Sequence, residues 1–336
     1  MYFSNKIAKF KIEQMLLFKS IVIAVFIFYF SKCYTQQMPY YTQYNLNSFA
    51  LNPAIAGTKR IIDARTIYRN QWTGFENSPI TKGFSINGKL ADGKMGLGLL
   101  YFNDLTGPTK RSNFSLAYAY HLRFEDVELS FGVSGQSMTY FIDGSKINLH
   151  FPQDHAIDLL SSQKKNAYNA GSGAYLYNDR FFIGISFLNL ISQNVDIFPK
   201  EDTTHFTKLH MITHTYGCAG VKWSNDQNWV FENLIQVAQA TANPMTIDFC
   251  MRLHYKQKVF GGLSIRPQDM VALHFGATFW EDFHFSYSYD IPISPLNAFN
   301  YGTHELIFAW SSNLGIHKKD KYVNTDFRKQ KYGFIF

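Results

Sequence analysis

Hydrophobic and polar residues alternate along most of the chain between residues 61 and 314. The alternation is clearest at residues 127–134, where Val, Leu, Phe and Val take the odd positions and polar or small residues take the even ones. Residues 181–187 and 283–290 repeat this pattern. A period of two belongs to an extended strand with one apolar face, whereas a helix repeats its apolar positions every three or four residues. The body of the chain is therefore predicted to be all-β.

The pattern predicts about fourteen strands, joined by connections that alternate in length. The strands lie near residues 61–70, 80–89, 95–103, 112–123, 127–140, 168–177, 180–190, 209–223, 228–239, 245–256, 258–266, 269–280, 282–290 and 303–314. Short links occur at 88–94, 124–126, 178–179, 224–227, 257 and 281, and longer ones at 71–79, 104–111, 141–167, 191–208 and 291–302. Two connections on the long side, 241–244 and 267–268, are shorter than this alternation requires.

Alternating connection lengths are typical of a transmembrane β-barrel, which has short periplasmic turns, longer external loops and an even number of strands. A spanning sheet must also close on itself, because hydrocarbon offers no partner to a bare backbone N–H or C=O group. The alternative is a large soluble β-sandwich or barrel, in which loops have no reason to alternate in length. We therefore predict a single transmembrane antiparallel β-barrel.

Glycines within the predicted strands would weaken a soluble sheet. In a barrel they ease bending or admit a segment packed close against the wall. They are Gly96, Gly98, Gly132, Gly171, Gly173, Gly184, Gly261, Gly262 and Gly276.

The start of the chain has the order of a secretory signal peptide. Lysines precede an apolar run at residues 21–30, which is shorter than the roughly 20 residues that a membrane-spanning helix needs. Cleavage near Thr35 divides the chain into a signal peptide (1–35), an N-terminal lead-in or partial plug (36–60), the barrel (61–314) and a basic periplasmic tail (315–336). Lipidation at Cys33 is the less favoured alternative, because Lys32 precedes it.

The net charge of +7 is concentrated in the two ends of the chain. Residues 1–35 and 317–331 each carry +4, so the remainder carries about −1. The barrel region thus lacks the basic footprint of a nucleic-acid-binding protein. The tail is interpreted either as a solvated end or as a contact for anionic lipid or a periplasmic partner.

Motifs spread over nearly the whole predicted mature chain carry a family resemblance. The most specific are Gln43-Tyr-Asn-Leu-Asn, Leu51-Asn-Pro-Ala-Ile-Ala-Gly57, Tyr68-Arg-Asn-Gln-Trp-Thr-Gly-Phe75 and Ser78-Pro-Ile-Thr81. Later ones include Gly96-Leu-Gly-Leu, Asn103-Asp-Leu-Thr-Gly-Pro-Thr-Lys110, Leu129-Ser-Phe-Gly132, Gly171-Ser-Gly-Ala-Tyr175, Phe181-Phe-Ile-Gly-Ile-Ser186, Tyr287-Ser-Tyr-Asp290 and His304-Glu305-Leu306. In these motifs the chain resembles the type IX secretion system membrane proteins of the PorP/SprF type.

This resemblance implies a protein of the cell outer membrane that works with subunits of the type IX machinery. Its role would be to export or anchor a secreted surface protein such as an adhesin, in gliding motility or surface attachment. The family brings no catalytic residue, and we expect no cofactor and no small-molecule substrate. The alternative function is an outer-membrane diffusion or uptake channel, since a barrel of this strand number can enclose a lumen.

Four residues near the N-terminus are candidates for partner binding. Trp72 and Phe75 lie in the first external loop, where aromatic residues either anchor a partner or form a girdle at the membrane boundary. Asn52 and Pro53 lie in a turn before the first strand. That turn can fold into the lumen, dock in the periplasm, or serve only as a structured lead-in.

Closure of the barrel predicts an ion pair across the seam between the first and last strands. Parity places Arg65, Arg69 and Glu305 on the inner face, and strand direction places Arg69 and Glu305 near the external rim. Arginine at the lipid midplane costs about 2–4 kcal/mol, whereas a lumenal arginine can find a carboxylate. Either Arg69 or Arg65 is therefore expected to approach Glu305.

Other candidate chemistry is weak. His210 and His214 have the spacing of zinc ligands on a helix but lie in a strand-like segment with no nearby Glu, so we expect no metal site. Cys218 and Cys250 form either a disulfide or, as we favour, two separate cysteines in the barrel wall. No spacing selects a catalytic trio among the 11 histidines and their neighbours, and we predict no enzyme.

Overall fold

A computed structural model describes residues 40–59, 62–90, 93–146, 163–196, 208–224, 228–240, 243–256, 258–280 and 282–312. The predicted signal peptide and basic tail lie outside the described residues. The strands are β1 (Ile62–Asn70), β2 (Ile80–Lys89), β3 (Met95–Thr106), β4 (Thr109–Arg123), β5 (Glu128–Ile142), β6 (Gln163–Tyr177), β7 (Phe181–Leu188), β8 (Asn194–Asp196), β9 (Lys208–His210), β10 (His214–Ser224), β11 (Trp229–Ala240), β12 (Thr246–Tyr255), β13 (Val259–Arg266), β14 (Met270–Phe279), β15 (Phe283–Pro292) and β16 (Thr303–Ser312).

Fourteen of these strands form one closed antiparallel barrel, in which each strand pairs with the next barrel strand along the chain and β7 pairs with β10. Closure is completed by β1 and β16, which pair from Ile62↔Ser312 to Asn70↔His304. The predicted barrel, its strand number and its closing pair are confirmed. Strands β8 and β9 form a separate two-stranded sheet.

One predicted connection and one predicted strand were wrong in extent. The external loop expected at 104–111 is a hairpin in which only Gly107 and Pro108 separate β3 from β4, and Asp104 pairs with Arg111 across it at 3.4 Å. The strand expected at 209–223 is divided between β9 and β10. Backbone pairing continues past the apolar part of a strand because cross-strand polar pairs also stabilise a ladder.

The connections define two ends of the barrel. At one, the turn end, short links join β2–β3, β4–β5, β6–β7, β10–β11, β12–β13 and β14–β15. The other, the loop end, carries the remaining connections, including 71–79, 143–162 and 293–302. The first strand begins and the last strand ends at the turn end. By the rule for transmembrane barrels, the turn end is periplasmic and the loop end external.

The outer face of the barrel is apolar. Large outward side chains are exposed along its strands, among them Leu116, Phe131, Val133 (58% exposed) and Ile183. Their neighbours in sequence, such as Ser130 and Ser134, are buried on the inner face. An exposed hydrophobic belt around a closed sheet is the surface that faces lipid in a transmembrane barrel. No helix among the described residues has the length and apolarity to cross a membrane.

Candidate functional site

Residues 40–59, here called the lumen strap, cross the interior of the barrel. Two short 3-10 helices, η1 (Ser48–Ala50) and η2 (Pro53–Ile55), give the strap its shape. The strap meets opposite walls, since Asn45 accepts a hydrogen bond from Arg252 of β12 while Ser85 of β2 donates to Asn47 at 2.9 Å. Only a segment inside the lumen contacts inward-facing residues on both sides, so the strap occupies the lumen as a plug.

Glycines of the barrel wall allow the strap to lie backbone against backbone. A Cβ atom on Gly132 would lie 2.2 Å from the Ala54 backbone nitrogen, and one on Gly96 would lie 2.0 Å from the Ala56 carbonyl oxygen. Asn52 is held in the same way, since a Cβ on Gly173 would lie 2.1 Å from its Oδ1. These strand glycines therefore form a track for the strap.

Hydrogen bonds fix the strap along this track. Ser130 donates to the Ala54 carbonyl at 2.7 Å, and Ser186 donates to the Leu51 carbonyl at 2.6 Å. The Asn52 side-chain amide donates to the Ala174 carbonyl at 3.1 Å, while its Oδ1 caps η2 by accepting from Ala54. These contacts satisfy polar groups that would otherwise be buried without a partner.

A buried ionic cluster joins the strap to the seam near the loop end. Arg69 Nη1 lies 2.8 Å from Glu305 Oε2 and 3.1 Å from Asp290 Oδ2. The backbone N–H groups of Thr42 and Gln43 donate to the two Glu305 carboxylate oxygens at 2.9 and 2.8 Å. The Arg69 guanidinium is thus shared by two carboxylates, and the strap adds two backbone donors to Glu305, which lowers the cost of burying its charge.

A second cluster closes the seam near the turn end. Arg65 binds Asp63 at 2.9 Å, and Ser311 of β16 donates to the same carboxylate at 2.6 Å. Lys59, at the end of the strap, lies 3.3 Å from Asp63. Burial lowers the pKa of Lys59 to about 8, and the nearby Arg65 charge acts in the same direction. Both ends of the seam are therefore tied to the strap.

The external loops that flank the seam are joined to each other. Thr73 of the 71–79 loop donates its backbone N–H to the Gly302 carbonyl at 2.8 Å and accepts from the Tyr301 N–H at 2.7 Å. The same two loops carry four exposed side chains, Phe75, Leu296, Phe299 and Tyr301, whose exposed fractions are 37, 41, 69 and 78%. We call these four residues the seam surface. The 293–302 loop contains no charged residue and the 71–79 loop contains only Glu76.

The model of the type IX secretion system membrane protein PorP/SprF family matches residues 34–310. The chain belongs to the PorP/SprF family. A membrane protein that forms a closed barrel with an apolar outer belt spans the outer membrane, because a closed sheet leaves no backbone N–H or C=O group unpaired in hydrocarbon.

Solved structures similar to this PorP/SprF protein are other barrels. A FadL homologue of Pseudomonas aeruginosa shares 12% identity at a TM-score of 0.47, over 82% of this chain and 94% of that chain. The outer membrane protein Omp33 of Acinetobacter baumannii shares 8% identity at a TM-score of 0.45, over 76% of this chain and 100% of that one. The Pseudomonas putida toluene transporter TodX shares 9% identity at a TM-score of 0.43, over 82% of this chain and 95% of that chain. No curated protein matches the chain.

The structure separates the residues that the sequence had grouped as candidates. Arg69, rather than Arg65, contacts Glu305. Trp72 is half-buried with a φ of 53°, and Phe75 is exposed beside it. Asn52 and Pro53 are buried against the lumen wall, where they position the strap.

Sequence reasoning missed Asp290, Thr42 and Gln43 as members of the cluster around Arg69. Asp290 and Gln43 nevertheless occur in motifs that carry the PorP/SprF resemblance. Cys218 and Cys250 are free cysteines on the inner parity of β10 and β12. His210 bonds Asn194 in the small sheet while His214 is buried in the barrel, and the described residues contain no group of three or more metal-ligating side chains.

Replacement of Gly132 by Ala is expected to displace the strap, because the new methyl group meets the backbone of Pro53 and Ala54. The expected loss of unfolding free energy is about 1–3 kcal/mol, measured by urea unfolding in liposomes. Gly135→Ala is the matched control on the same strand, since a Cβ there has no atom within 4 Å and the expected change is under about 0.5 kcal/mol. Equal stability of the two variants would contradict the role of Gly132 in making room for the strap.

Replacement of Arg69 by Met leaves the Asp290 and Glu305 carboxylates buried without their cation. We expect it to cost about 3–5 kcal/mol of barrel stability, whereas Arg123→Met, at a half-exposed pair with Glu128, is expected to cost under about 1 kcal/mol. The double variant Arg69→Met/Glu305→Gln should lose less stability than the sum of the losses in the two single variants. Additive losses in the same urea titration would show that the two residues are not coupled.

Proposed function

We propose that this PorP/SprF protein is an outer-membrane component or dedicated helper of the type IX secretion system that is needed to export or anchor a partner protein on the cell surface. The partner class is a secreted surface protein such as an adhesin, with a role in gliding or surface attachment, and the second set of partners is the secretion machinery itself. Family membership supports the secretion context. The observation that carries the binding role is the seam surface at the external end.

The seam surface has the character of a protein-binding site. Its four side chains are exposed on two joined loops that carry almost no charge, so contact with these loops buries apolar area without desolvating ions. Aromatic residues such as Phe75, Phe299 and Tyr301 dominate interface hot spots. The loops are also held in place, since the join at Thr73 and the bond from Trp72 N–H to Thr303 Oγ1 (3.1 Å) restrict them. A preorganised surface loses little entropy on binding.

The proposal is tested by complementing a deletion strain and comparing surface proteomes. The deletion is expected to lose one or more exported proteins from the surface, and the wild-type gene is expected to restore them. The double variant Phe75→Ser/Phe299→Ser should restore the amount of barrel protein in the membrane but should not restore the exported protein to the surface. Phe124→Ser, which removes a similarly exposed aromatic side chain at the turn end, is the control and should restore both.

A normal surface proteome in the deletion strain would overturn the secretion role. Normal export by the double Ser variant would overturn the assignment of the seam surface and would leave an aromatic girdle at the membrane boundary as its explanation.

A diffusion channel is the second function that the sequence allowed. The lumen strap argues against it, because the interior is filled by Tyr44, Leu46 and Phe49 and by the wall contacts of η2. The cavity between the strap and strands β3 to β5 has a volume of about 20 Å³, which is room for about one water molecule, and is lined by residues that include Phe49, Pro53, Asn113 and Gln136.

Purified protein in a planar bilayer is therefore expected to show no steady conductance. A variant that lacks residues 40–57 should conduct if it retains the barrel, because the strap no longer fills the lumen. Steady conductance of the wild-type protein at the level of the deletion variant would favour the channel.

A further inference from the structure

Formal charges are rare on the outer face of the barrel. Strand pairing and burial separate the outward side chains from the inward ones, and the outward ones are apolar or neutral at all but three positions of the described barrel strands. The exceptions are Lys82 on β2, Lys110 on β4 and Lys164 on β6, and all three are exposed. Each lies within three residues of the loop end of its strand. We call these three residues the lysine patch.

Two rows of outward side chains show the height of the lysine patch in the membrane. Strand pairing sets side by side a row that is polar throughout: Lys82, Asn103, Ser112, Thr139 and Asn166. The adjacent row, two residues nearer the turn end, is largely aromatic and exposed: Phe84, Tyr101, Phe114 and Tyr168, with Ser137 between the last two. Aromatic residues form a girdle where a barrel crosses the membrane boundary. The polar row therefore lies at the level of the external head groups.

The other two lysines lie slightly further out on the same wall. Lys110 and Lys164 are each two residues beyond the polar row, which is roughly 7 Å along a strand. Both pair with Phe141 of β5, from opposite sides, so their backbones are roughly 10 Å apart. A lysine side chain can lay its methylenes on an apolar wall and extend its ammonium group into the head-group layer. The lysine patch thus presents three cations to the outer leaflet.

Carboxylates of the protein near the lysine patch are engaged elsewhere. Asp104 points to the inner face of the barrel, where it lies 3.4 Å from Arg111. Asp143 follows β5 and lies 4.0 Å from Lys146. Within the described ranges no ion pair joins the lysine patch to a carboxylate, and the Lys82 ammonium lies over the Tyr68 ring, 5.9 Å from its centroid. An anion that neutralises these cations therefore has to come from outside this part of the chain.

We propose that the lysine patch binds a phosphate-bearing glycolipid of the outer leaflet. The ammonium groups bind the phosphate oxygens, and the acyl chains lie along the aromatic row and the apolar wall of β2 to β6 below it. A phosphorylated lipid fits because it alone joins an anionic head group to the hydrocarbon that this wall faces. The proposal rests on the barrel and its outer face and goes beyond the proposed role in secretion.

Lipid binding by the purified protein tests the proposal. Diphosphorylated lipid A, or its dephosphorylated form, is titrated onto the protein in a non-ionic detergent, and bound lipid is measured by native mass spectrometry. The test variant is Lys82→Gln/Lys110→Gln/Lys164→Gln. The matched control removes three exposed lysines at the turn end: Lys94→Gln/Lys256→Gln/Lys258→Gln. A third variant with Arg at the three patch positions keeps the charge and can still bind phosphate.

The test variant is expected to bind diphosphorylated lipid A about 100-fold more weakly than the wild type, at about fivefold for each lysine. The turn-end control and the Arg variant should bind like the wild type, and the dephosphorylated lipid should bind weakly to all of them.

Equal binding by the test variant and the wild type would overturn the proposal. An equal loss in the turn-end control would also overturn it, because the effect would then follow net charge and not the lysine patch. Equal affinity of the wild type for the two lipids would exclude phosphate recognition, and this comparison needs no variant to fold. None of these measurements depends on an exported protein, so a failure here is distinct from a failure of the proposed function.

Discussion

Closure of the sheet between β1 and β16 is the constraint on which the rest of the structure depends. In a bilayer, an unpaired edge would expose a row of backbone N–H and C=O groups to hydrocarbon, at a cost of several kcal/mol for each group. The pairing from Ile62↔Ser312 to Asn70↔His304 removes that edge. Register across it is reinforced by charge, since Arg69 lies directly opposite Glu305 and Asp63 accepts from Ser311.

The interior then has to satisfy the polar residues that the alternating pattern directs inward. Buried carboxylates and guanidinium groups are stable only when each is paired, and the strap supplies what the barrel wall lacks. Backbone N–H groups of Thr42 and Gln43 donate to Glu305, and Asn45 accepts a hydrogen bond from Arg252. The strap is thus both a plug and a part of the seam, so barrel closure and lumen closure are physically linked.

The link between barrel closure and lumen closure extends to the external loops. The loops that carry the seam surface stand directly on the strands that form the seam, and Thr303, the first residue of β16, accepts from Trp72 of the first loop. In the proposed function, a partner at Phe75 or Tyr301 would therefore contact loops that are hydrogen-bonded to each other and to β16. An apolar, weakly charged and well-supported surface suits recognition of a protein better than transport of a solute.

The sequence by itself determined the barrel, because a period of two and alternating connection lengths are local signals that can be read without knowledge of contacts. It also placed Arg69 and Glu305 on one wall near one rim, since parity and strand direction follow from closure alone. Only the tertiary structure decided the path of the strap, the choice of Arg69 over Arg65 and the presence of Asp290 in the cluster. The strap has no periodic pattern, and its course is set by glycines on β3, β5 and β6 that are remote in sequence from Asn52 and Ala54. The hairpin that replaced the 104–111 loop was hidden for a related reason: where a strand leaves the membrane it loses its apolar face, yet its backbone goes on pairing.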